Sequence, residues 1–256
     1  MKKSIAINQY NISYYDNERK DCPTLLFIHG WGADKDNLRA VYQPLSDKYR
    51  IVSIDLPGFG ESTAPSEVIA SPDYMEIVRQ FITALNLPKL TYIGHSFGGK
   101  VGILLASHYP DMIQNLILID AAGLRAKHSL KWHCKVASYK IAKFFILNIL
   151  HNPAMLERMR SKAGSDDYQA TVGIMRQILV RVVNEDFSDC LPQIHCPTFL
   201  YWGECDEATP VWMAHKMNKL IPDSGLYIVP DGGHFSFLKD LRIVGIIETM
   251  VGDGEQ

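Results

Sequence analysis

The chain has 256 residues, with 26 lysines and arginines against 28 aspartates and glutamates, so its formal net charge is −2. This near balance argues against a nucleic-acid binder, which would normally carry a clear basic excess. Hydrophobic residues make up 47% and charged residues 21%, which excludes a disordered or fibrous chain. Five cysteines without a CxxC pair favour free thiols in a reducing compartment. Because no apolar run has the length of a signal peptide or a bilayer span, we expect a cytoplasmic protein without stable membrane insertion.

Short apolar runs predict the strands. Two alternating runs, Ser4–Asn8 and Asn11–Tyr15, predict an opening β-hairpin. Six compact apolar runs follow, and each is bounded by turn-forming residues. They are Thr24–Ile28, Ile51–Ile54, Leu90–Ile93, Leu116–Ile119, Thr198–Tyr201 and Leu226–Val229. Continuous runs of this kind are typical of strands buried on both faces of a mostly parallel sheet.

Helical patterns lie between these runs. Ser71-Pro72-Asp73 predicts the start of a helix that runs to about Asn86, with Ser71 as its cap. Further helices are predicted over Phe97–Tyr109, Pro210–Leu220 and Phe235–Met250. Strands that alternate with helices indicate βαβ units and an α/β fold.

One stretch, from about Leu124 to Leu191, contains no strand-like run. Helix-like segments there cover roughly Leu130–Leu150, Pro153–Lys162 and Asp166–Asn184. We therefore predict a core formed by residues 1–123 and 192–256, with residues 124–191 inserted as a helical subdomain. Four lysines gather near its start, at Lys131, Lys135, Lys140 and Lys143. They form either a solvated face, which is the favoured interpretation, or a surface for a membrane or an anionic substrate.

The strongest chemical signal is the GxSxG motif at Gly94–Gly98, which follows a predicted strand and opens a predicted helix. This setting places Ser96 on a strained strand-to-helix turn and aims the Phe97 N–H toward a developing oxyanion. A serine nucleophile needs a base, and that base is oriented by an acid. His234 follows the last predicted strand and Asp206 follows the preceding one. The resulting chain order of nucleophile, acid and base predicts a catalytic triad.

Several nearby residues admit other roles. Asp120 is an alternative acid because it also ends a strand at the same edge, although the Trp-Gly-x-x-Asp setting favours Asp206. His29 and His95 flank the site, and a structural hydrogen-bonded role is favoured for each over a second base. No HxH or HExxH pattern supports a metal site, and the motifs imply no cofactor.

The chain resembles the α/β-hydrolase fold family over nearly its whole length, and it is similar to small single-domain carboxylesterases and C–C bond hydrolases. Four patterns carry the resemblance: His29-Gly30-Trp31-Gly32, residues 55–62, the Ser96 turn, and Trp202-Gly203 with Asp206 and Gly233-His234. The resemblance implies a mostly parallel eight-stranded sheet flanked by helices. It also implies that residues 124–191 are a helical lid inserted after strand 6, and that the Trp31 N–H is the second oxyanion donor. Residues 55–62 are interpreted as a structural turn or pocket floor.

We therefore predict a serine hydrolase that transfers the acyl group of a small ester, lactone or thioester to water. Its partner is a small-molecule acyl substrate, and the protein is a monomer or homodimer. Predicted substrate-binding residues are Gly30, His95, Trp132, Tyr139 and Phe235.

A cofactor-free oxygenase, which would share this triad, and acyl transfer to an alcohol or amine instead of water both stay open. Two further alternatives are each linked to a specific feature or test. One is a C–C bond hydrolase of the aromatic-degradation type. In that group Trp commonly follows the catalytic His, and Phe235 at this position weakens the interpretation. The other is a hydrolase-like receptor that binds a small ligand with little turnover.

Overall fold

The computed structural model describes residues 2–125, 138, 146, 151, 155 and 166–252. The strands are β1 Lys2–Ile7, β2 Tyr10–Asp16, β3 Thr24–Ile28, β4 Arg50–Ile54, β5 Leu90–His95, β6 Ile113–Ile119, β7 Thr198–Gly203 and β8 Ser224–Val229. They form one eight-stranded sheet in the order β1-β2-β4-β3-β5-β6-β7-β8. The pairs β1–β2 and β2–β4 are antiparallel, and all other pairs are parallel. The predicted hairpin and the predicted mostly parallel sheet are both confirmed.

Helices cover both faces of this sheet. They are α1 Arg39–Tyr42, α2 Ser71–Ala84, α3 Phe97–His108, α4 Asp166–Ala170, α5 Gly173–Val182, α6 Trp212–Leu220, α7 Ser236–Lys239 and α8 Arg242–Gly252. Short 3-10 turns occupy Gln43–Leu45, Pro110–Met112 and Ser188–Gln193. Among the described helices, none is long and apolar enough to cross a membrane.

Alternate residues of the central strands face opposite helical layers. In β3, Leu26 and Ile28 belong to one hydrophobic cluster, which includes the buried side chains of α2 and α3. Leu25 and Phe27 belong to the other cluster, which includes those of α1 and α8. Burial on both faces explains why these strands read as continuous apolar runs in the sequence.

The start of α2 differs from the prediction in one detail. The helix begins at Ser71, but its N-cap position is Ala70 and the Ser71 hydroxyl has no hydrogen-bond partner among the described groups. Asp73 accepts a hydrogen bond from the Ala70 N–H over 2.7 Å, and the Glu185 carboxylate lies 3.3 Å from the Ser71 nitrogen. Two carboxylates therefore satisfy the N–H groups of the cap residue and of the first helical residue, and Ser71 is not the cap.

Two predicted helices are each interrupted. The one expected over Asp166–Asn184 is divided into α4 and α5 before Gly173, which has a φ of +60°. The one expected over Phe235–Met250 is divided at Asp240, whose carboxylate accepts the Arg242 N–H over 2.9 Å and starts α8. The sequence prediction rested on helical periodicity, which did not detect either interruption of the helices.

The inserted subdomain is described only in part. Its described portion, α4 and α5 with the following 3-10 turn, is helical. The segments predicted over Leu130–Leu150 and Pro153–Lys162 lie almost wholly outside the described residues, as do Trp132 and Tyr139. The division into core and lid stays a prediction.

Candidate active site

The parallel strands deliver four polar residues to one edge of the sheet. Ser96 follows β5, Asp120 follows β6, Asp206 lies three residues after β7, and His234 lies in the turn after β8. Carboxyl ends of parallel strands meet at the same edge, which is where open α/β sheets bind ligands. The site is therefore built by topology from segments far apart in the chain.

Ser96 lies on a sharp turn between β5 and α3. Its φ of 49° and ψ of −111° are unusual for a residue that is not glycine. The flanking positions must be glycine because the surrounding backbone leaves no room for a side chain there. A Cβ at Gly94 would lie 2.6 Å from the Gly98 carbonyl, and one at Gly98 would lie 2.3 Å from the Ile28 oxygen. The GxSxG spacing thus has a steric cause in this fold.

A continuous hydrogen-bonded relay joins Ser96, His234 and Asp206. The Ser96 Oγ lies 2.9 Å from His234 Nε2, and His234 Nδ1 lies 2.8 Å from Asp206 Oδ2. In the neutral tautomer that fits this arrangement, Nδ1–H donates to the carboxylate and Nε2 accepts from the serine hydroxyl. The structure brings together all three residues of the predicted triad.

The Asp206 carboxylate is fixed by further donors. Its Oδ1 accepts the N–H groups of Ala208 and Thr209 over 2.8 and 2.9 Å, and its Oδ2 lies 2.7 Å from the Thr209 hydroxyl. Burial alone would raise the pKa of Asp206, but the hydrogen bond and charge of His234 and the Thr209 donors outweigh it and lower that pKa. Asp206 is therefore held as a carboxylate.

Thr209 was missed by the sequence interpretation, although its position is informative. An Asp followed three residues later by Thr is a local pattern in which the Asp accepts the backbone N–H ahead of it. Here the Thr209 hydroxyl also lies 3.0 Å from the Asp120 carbonyl oxygen. Thr209 therefore connects the loop that carries Asp206 to the end of β6.

The pKa of His234 is raised above its ordinary value. Burial would lower the pKa, but the hydrogen bond to Asp206, the Asp206 charge and the charges of Asp120 and Asp167 together raise it above 6.5. A half-buried imidazole that gains a proton here is stabilised by these carboxylates.

His95 and His29 are held in structural hydrogen bonds. His95 is buried, and its Nε2 lies 2.7 Å from the His234 carbonyl oxygen. Burial and the neighbouring His234 lower the pKa of His95 to about 3, which keeps it neutral. His29 bonds the Gly30 carbonyl through Nδ1 and the Leu56 N–H through Nε2, over 2.7 and 3.0 Å.

The loop after β3 lies directly against Ser96. A Cβ at Gly30 would come within 3.1 Å of the Ser96 Cβ and 2.8 Å of His95 Nδ1. The Trp31 indole packs edge-on against Phe59 and Phe97, with ring centroids 4.9 and 5.5 Å away. An apolar aromatic wall therefore stands beside the serine.

The predicted oxyanion donor Phe97 and the remaining predicted contact, Phe235, lie close by. Phe97 is the first residue of α3, so its N–H is one of the helix donors without a partner inside the helix. Phe235 is 49% exposed and its ring lies 5.2 Å from the His95 ring. Its exposed ring stands next to the His234 turn.

The segment at residues 55–62 forms a structural turn. The Asp55 carboxylate accepts the Lys35 ammonium and the Glu61 N–H over 2.8 and 2.9 Å, and the Ser62 hydroxyl bonds the Asp55 carbonyl. These contacts are internal to the turn and its neighbour Lys35. They hold Phe59 in place under the Trp31 ring.

Within the described ranges, one group of three residues has metal-ligand spacing: Glu204, Cys205 and Asp231. All three are exposed, and the Glu204 carboxylate already accepts the Asp231 N–H over 3.0 Å. This arrangement is a surface turn and does not contact the serine.

Comparison with known proteins agrees with this architecture. The sequence model of the α/β hydrolase fold family matches residues 23–145. Lipase 3 of Moraxella sp. (strain TA144) is 24% identical over 244 residues, which cover 90% of this chain and 77% of the lipase. The 2-hydroxy-6-oxo-6-(2'-aminophenyl)hexa-2,4-dienoic acid hydrolase of Metapseudomonas resinovorans is 25% identical, over 84% of this chain and 79% of that enzyme.

A solved structure is similar over the full chain. The crystal structure of a membrane phospholipase A, described as a bacterial virulence factor, matches with a TM-score of 0.80 and 26% identity, covering 100% of this chain and 87% of that one. The sheet order, the family match and these similar proteins together show that the chain has the α/β-hydrolase fold.

Proposed function

We propose that the protein is a serine hydrolase that transfers the acyl group of a small carboxylic ester, lactone or thioester to water. The observation that carries this proposal is the relay from Ser96 through His234 to Asp206, with distances of 2.9 and 2.8 Å. A hydroxyl, an imidazole and a carboxylate in this order are the parts needed to activate a serine. Lipases and other hydrolases among the relatives support the same class of reaction.

In the proposed mechanism, His234 Nε2 takes the Ser96 proton as Oγ attacks the substrate carbonyl. Asp206 stabilises the imidazolium that forms. The N–H groups of Phe97 and Trp31 bind the oxyanion, and His234 then protonates the leaving group. Water attacks the acyl-enzyme with His234 again as base, and Ser96 is released with its proton restored.

The lining favours an apolar group next to the reacting carbonyl. Trp31, Phe59 and Phe97 form the aromatic wall, and both phenylalanines are buried. Such a surface takes an acyl chain or an alcohol group of apolar character. We also propose contacts from Gly30, His95 and Phe235, of which His95 acts by holding the His234 carbonyl. Trp132 and Tyr139 remain proposals outside the described residues.

The test is covalent labelling together with ester turnover. A fluorophosphonate probe should react with Ser96 in the wild-type protein, and p-nitrophenyl esters of increasing chain length should be hydrolysed. S96A should lose both signals. S107A removes a hydroxyl from the far end of the same helix, where Ser107 contacts the Leu104 carbonyl and the adjacent His108 ring, and it should behave as wild type.

The outcomes separate the alternatives. Labelling without ester turnover, but with cleavage of a vinylogous 1,5-diketone, would indicate C–C bond hydrolysis instead. A protein that resists the probe yet retains a small ligand would be a receptor, and the proposed hydrolase activity would be wrong. Turnover by S96A equal to that of the wild type would also contradict it.

A further inference from the structure

Asp120 is a second buried carboxylate behind the candidate triad. It follows β6, its side chain is 0% exposed, and its φ of 45° lies in the left-handed region. Its backbone N–H donates to the Tyr201 carbonyl over 2.9 Å, which continues the β6–β7 ladder past the end of the strand. A strained, fully buried acid at this edge needs an explanation beyond packing.

Both oxygens of this carboxylate are engaged, and they bind two different loops. Oδ1 accepts the Gly203 N–H over 2.8 Å, and Gly203 lies three residues before Asp206. Oδ2 accepts the Ser236 N–H over 3.0 Å and the Ser236 hydroxyl over 2.6 Å. Ser236 lies two residues after His234. The Asp120 side chain thus binds the loop that carries Asp206 and the loop that carries His234 at the same time.

The two loops also contact each other directly at this point. The Cys205 N–H donates to the Gly232 carbonyl over 2.7 Å. A Cβ at Gly203 would lie 2.2 Å from the Gly233 oxygen, so the backbones pass with no room for a side chain. Small shifts of either loop would therefore change the distance between Asp206 and His234.

We propose that Asp120 is a positioning residue of the proposed hydrolase reaction, whose buried carboxylate fixes the Asp206 loop and the His234 loop relative to each other. The inference rests on the proposed function, because it assigns a role within that site. Fixing the acid and the base in one geometry before substrate binds lowers the reorganisation needed in the transition state.

The charge of Asp120 acts on the same imidazole. Asp206, Asp120 and Asp167 are carboxylates that raise the pKa of His234, and the ring of the neutral His95 lies 5.0 Å from the His234 ring. Burial raises the pKa of Asp120 itself to about 6, against the effect of its hydrogen-bond donors. Removing the Asp120 charge should therefore lower the pKa of His234.

The test compares D120N, S236A and D111N with the wild type, using the best ester found and the fluorophosphonate probe. D120N should lower kcat by about tenfold or more with little change in KM, as expected when catalytic groups are misplaced. It should also move the acidic limb of the kcat/KM profile to lower pH. S236A keeps the charge and loses one hydrogen bond, so it should lower kcat less and leave that limb in place. D111N removes an exposed acid at the opposite end of β6 and should change neither.

The readouts separate this inference from the proposed function. If the wild type is neither labelled nor active, the proposed function itself is wrong. If the wild type is active and D120N shows the wild-type kcat and the wild-type pH profile, the positioning role of Asp120 is wrong while the proposed hydrolase function stands. Should D120N fail to fold by circular dichroism, S236A decides the matter: a wild-type kcat would overturn the role, and a lower kcat with an unshifted acidic limb would support it.

Discussion

The Trp31 indole N–H donates a hydrogen bond to the Thr171 hydroxyl over 3.2 Å. Trp31 belongs to the loop that lies against Ser96, and Thr171 lies between α4 and α5 of the inserted helices. The Asp167 carboxylate of α4 also comes within 4.0 Å of a Cβ built at Gly32. The inserted helices therefore rest directly on the loop that is proposed to supply an oxyanion donor.

This contact predicts that T171V weakens catalysis more than binding. Valine keeps the shape of threonine but leaves the indole N–H without its acceptor, a loss of about 1 kcal/mol that corresponds to roughly a fivefold change. Because the bond holds the loop of the Trp31 N–H, we expect kcat to fall by about this factor and KM to change little. Steady-state kinetics with a p-nitrophenyl ester measure both constants.

T249V is the matched control for this change. Thr249 makes its hydroxyl bond to the Gly245 carbonyl within α8, on the exposed side of that helix. Its replacement should leave kcat unaltered. An equal fall in both variants, or a rise in KM alone for T171V, would show that the contact does not support the oxyanion loop.

The origin of each contact explains what the sequence could predict. β3 and Ser96 were predictable because the signals are local: a continuous apolar run and a glycine-flanked serine. The partners of Asp120 were not, because Gly203 and Ser236 lie 83 and 116 residues away and nothing near them in the sequence marks the contact. Thr171 likewise meets Trp31 across 140 residues.

Local signals also failed where two side chains could serve one helix end. Ser71 had the right residue type for a cap, but Ala70 holds the cap position, and Asp73 and Glu185 accept the N–H groups of Ala70 and Ser71. For the acid, both Asp120 and Asp206 follow strands at the same edge, and the Trp-Gly-x-x-Asp setting favoured Asp206 without excluding Asp120. Only the tertiary structure shows that Asp206 bonds His234 and that Asp120 bonds the loops around it.

The pKa shift of His234 predicts the pH dependence of the reaction. His234 must be neutral to accept the Ser96 proton, so kcat/KM should fall as pH drops through its pKa. That pKa is raised above 6.5, chiefly by Asp206 against the effect of burial. The acidic limb of the wild-type profile should therefore lie above pH 6.5. A limb below that value would contradict the electrostatic account.

D206N tests the source of this shift. Asparagine retains the size of the side chain but removes the charge, and its N–H group faces one of the donors whose hydrogen bonds the carboxylate accepts from His234, Ala208 and Thr209. We expect kcat/KM to fall by about a thousandfold or more, with the acidic limb at lower pH. D231N removes an exposed carboxylate, 86% accessible, from the same turn as His234, and it should keep the wild-type rate and profile.

Lys100 of α3 predicts a pH-dependent stability. Its side chain is buried, and its ammonium donates to the Val182 carbonyl at the end of α5. Burial lowers its pKa to about 8 from 10.5, against the pull of Glu185 and Asp186. Between these values the unfolded chain binds more protons than the folded one, so stability attributable to Lys100 rises with pH, by up to about 1.4 kcal/mol per pH unit.

Urea unfolding of the wild type and K100M at pH 7, 8, 9 and 10 measures this contribution, because groups common to both proteins cancel in the difference. Near pH 7 the wild type carries a buried charge with one acceptor, so methionine should be tolerated or stabilising. The difference should then move in favour of the wild type as pH rises from 8 toward 10.5. K219M removes an exposed lysine from α6 and should lack this slope. If the difference in unfolding free energy between the wild type and K100M does not change with pH, Lys100 is solvated in the folded protein. Its bond to Val182 then does not hold α5 against α3.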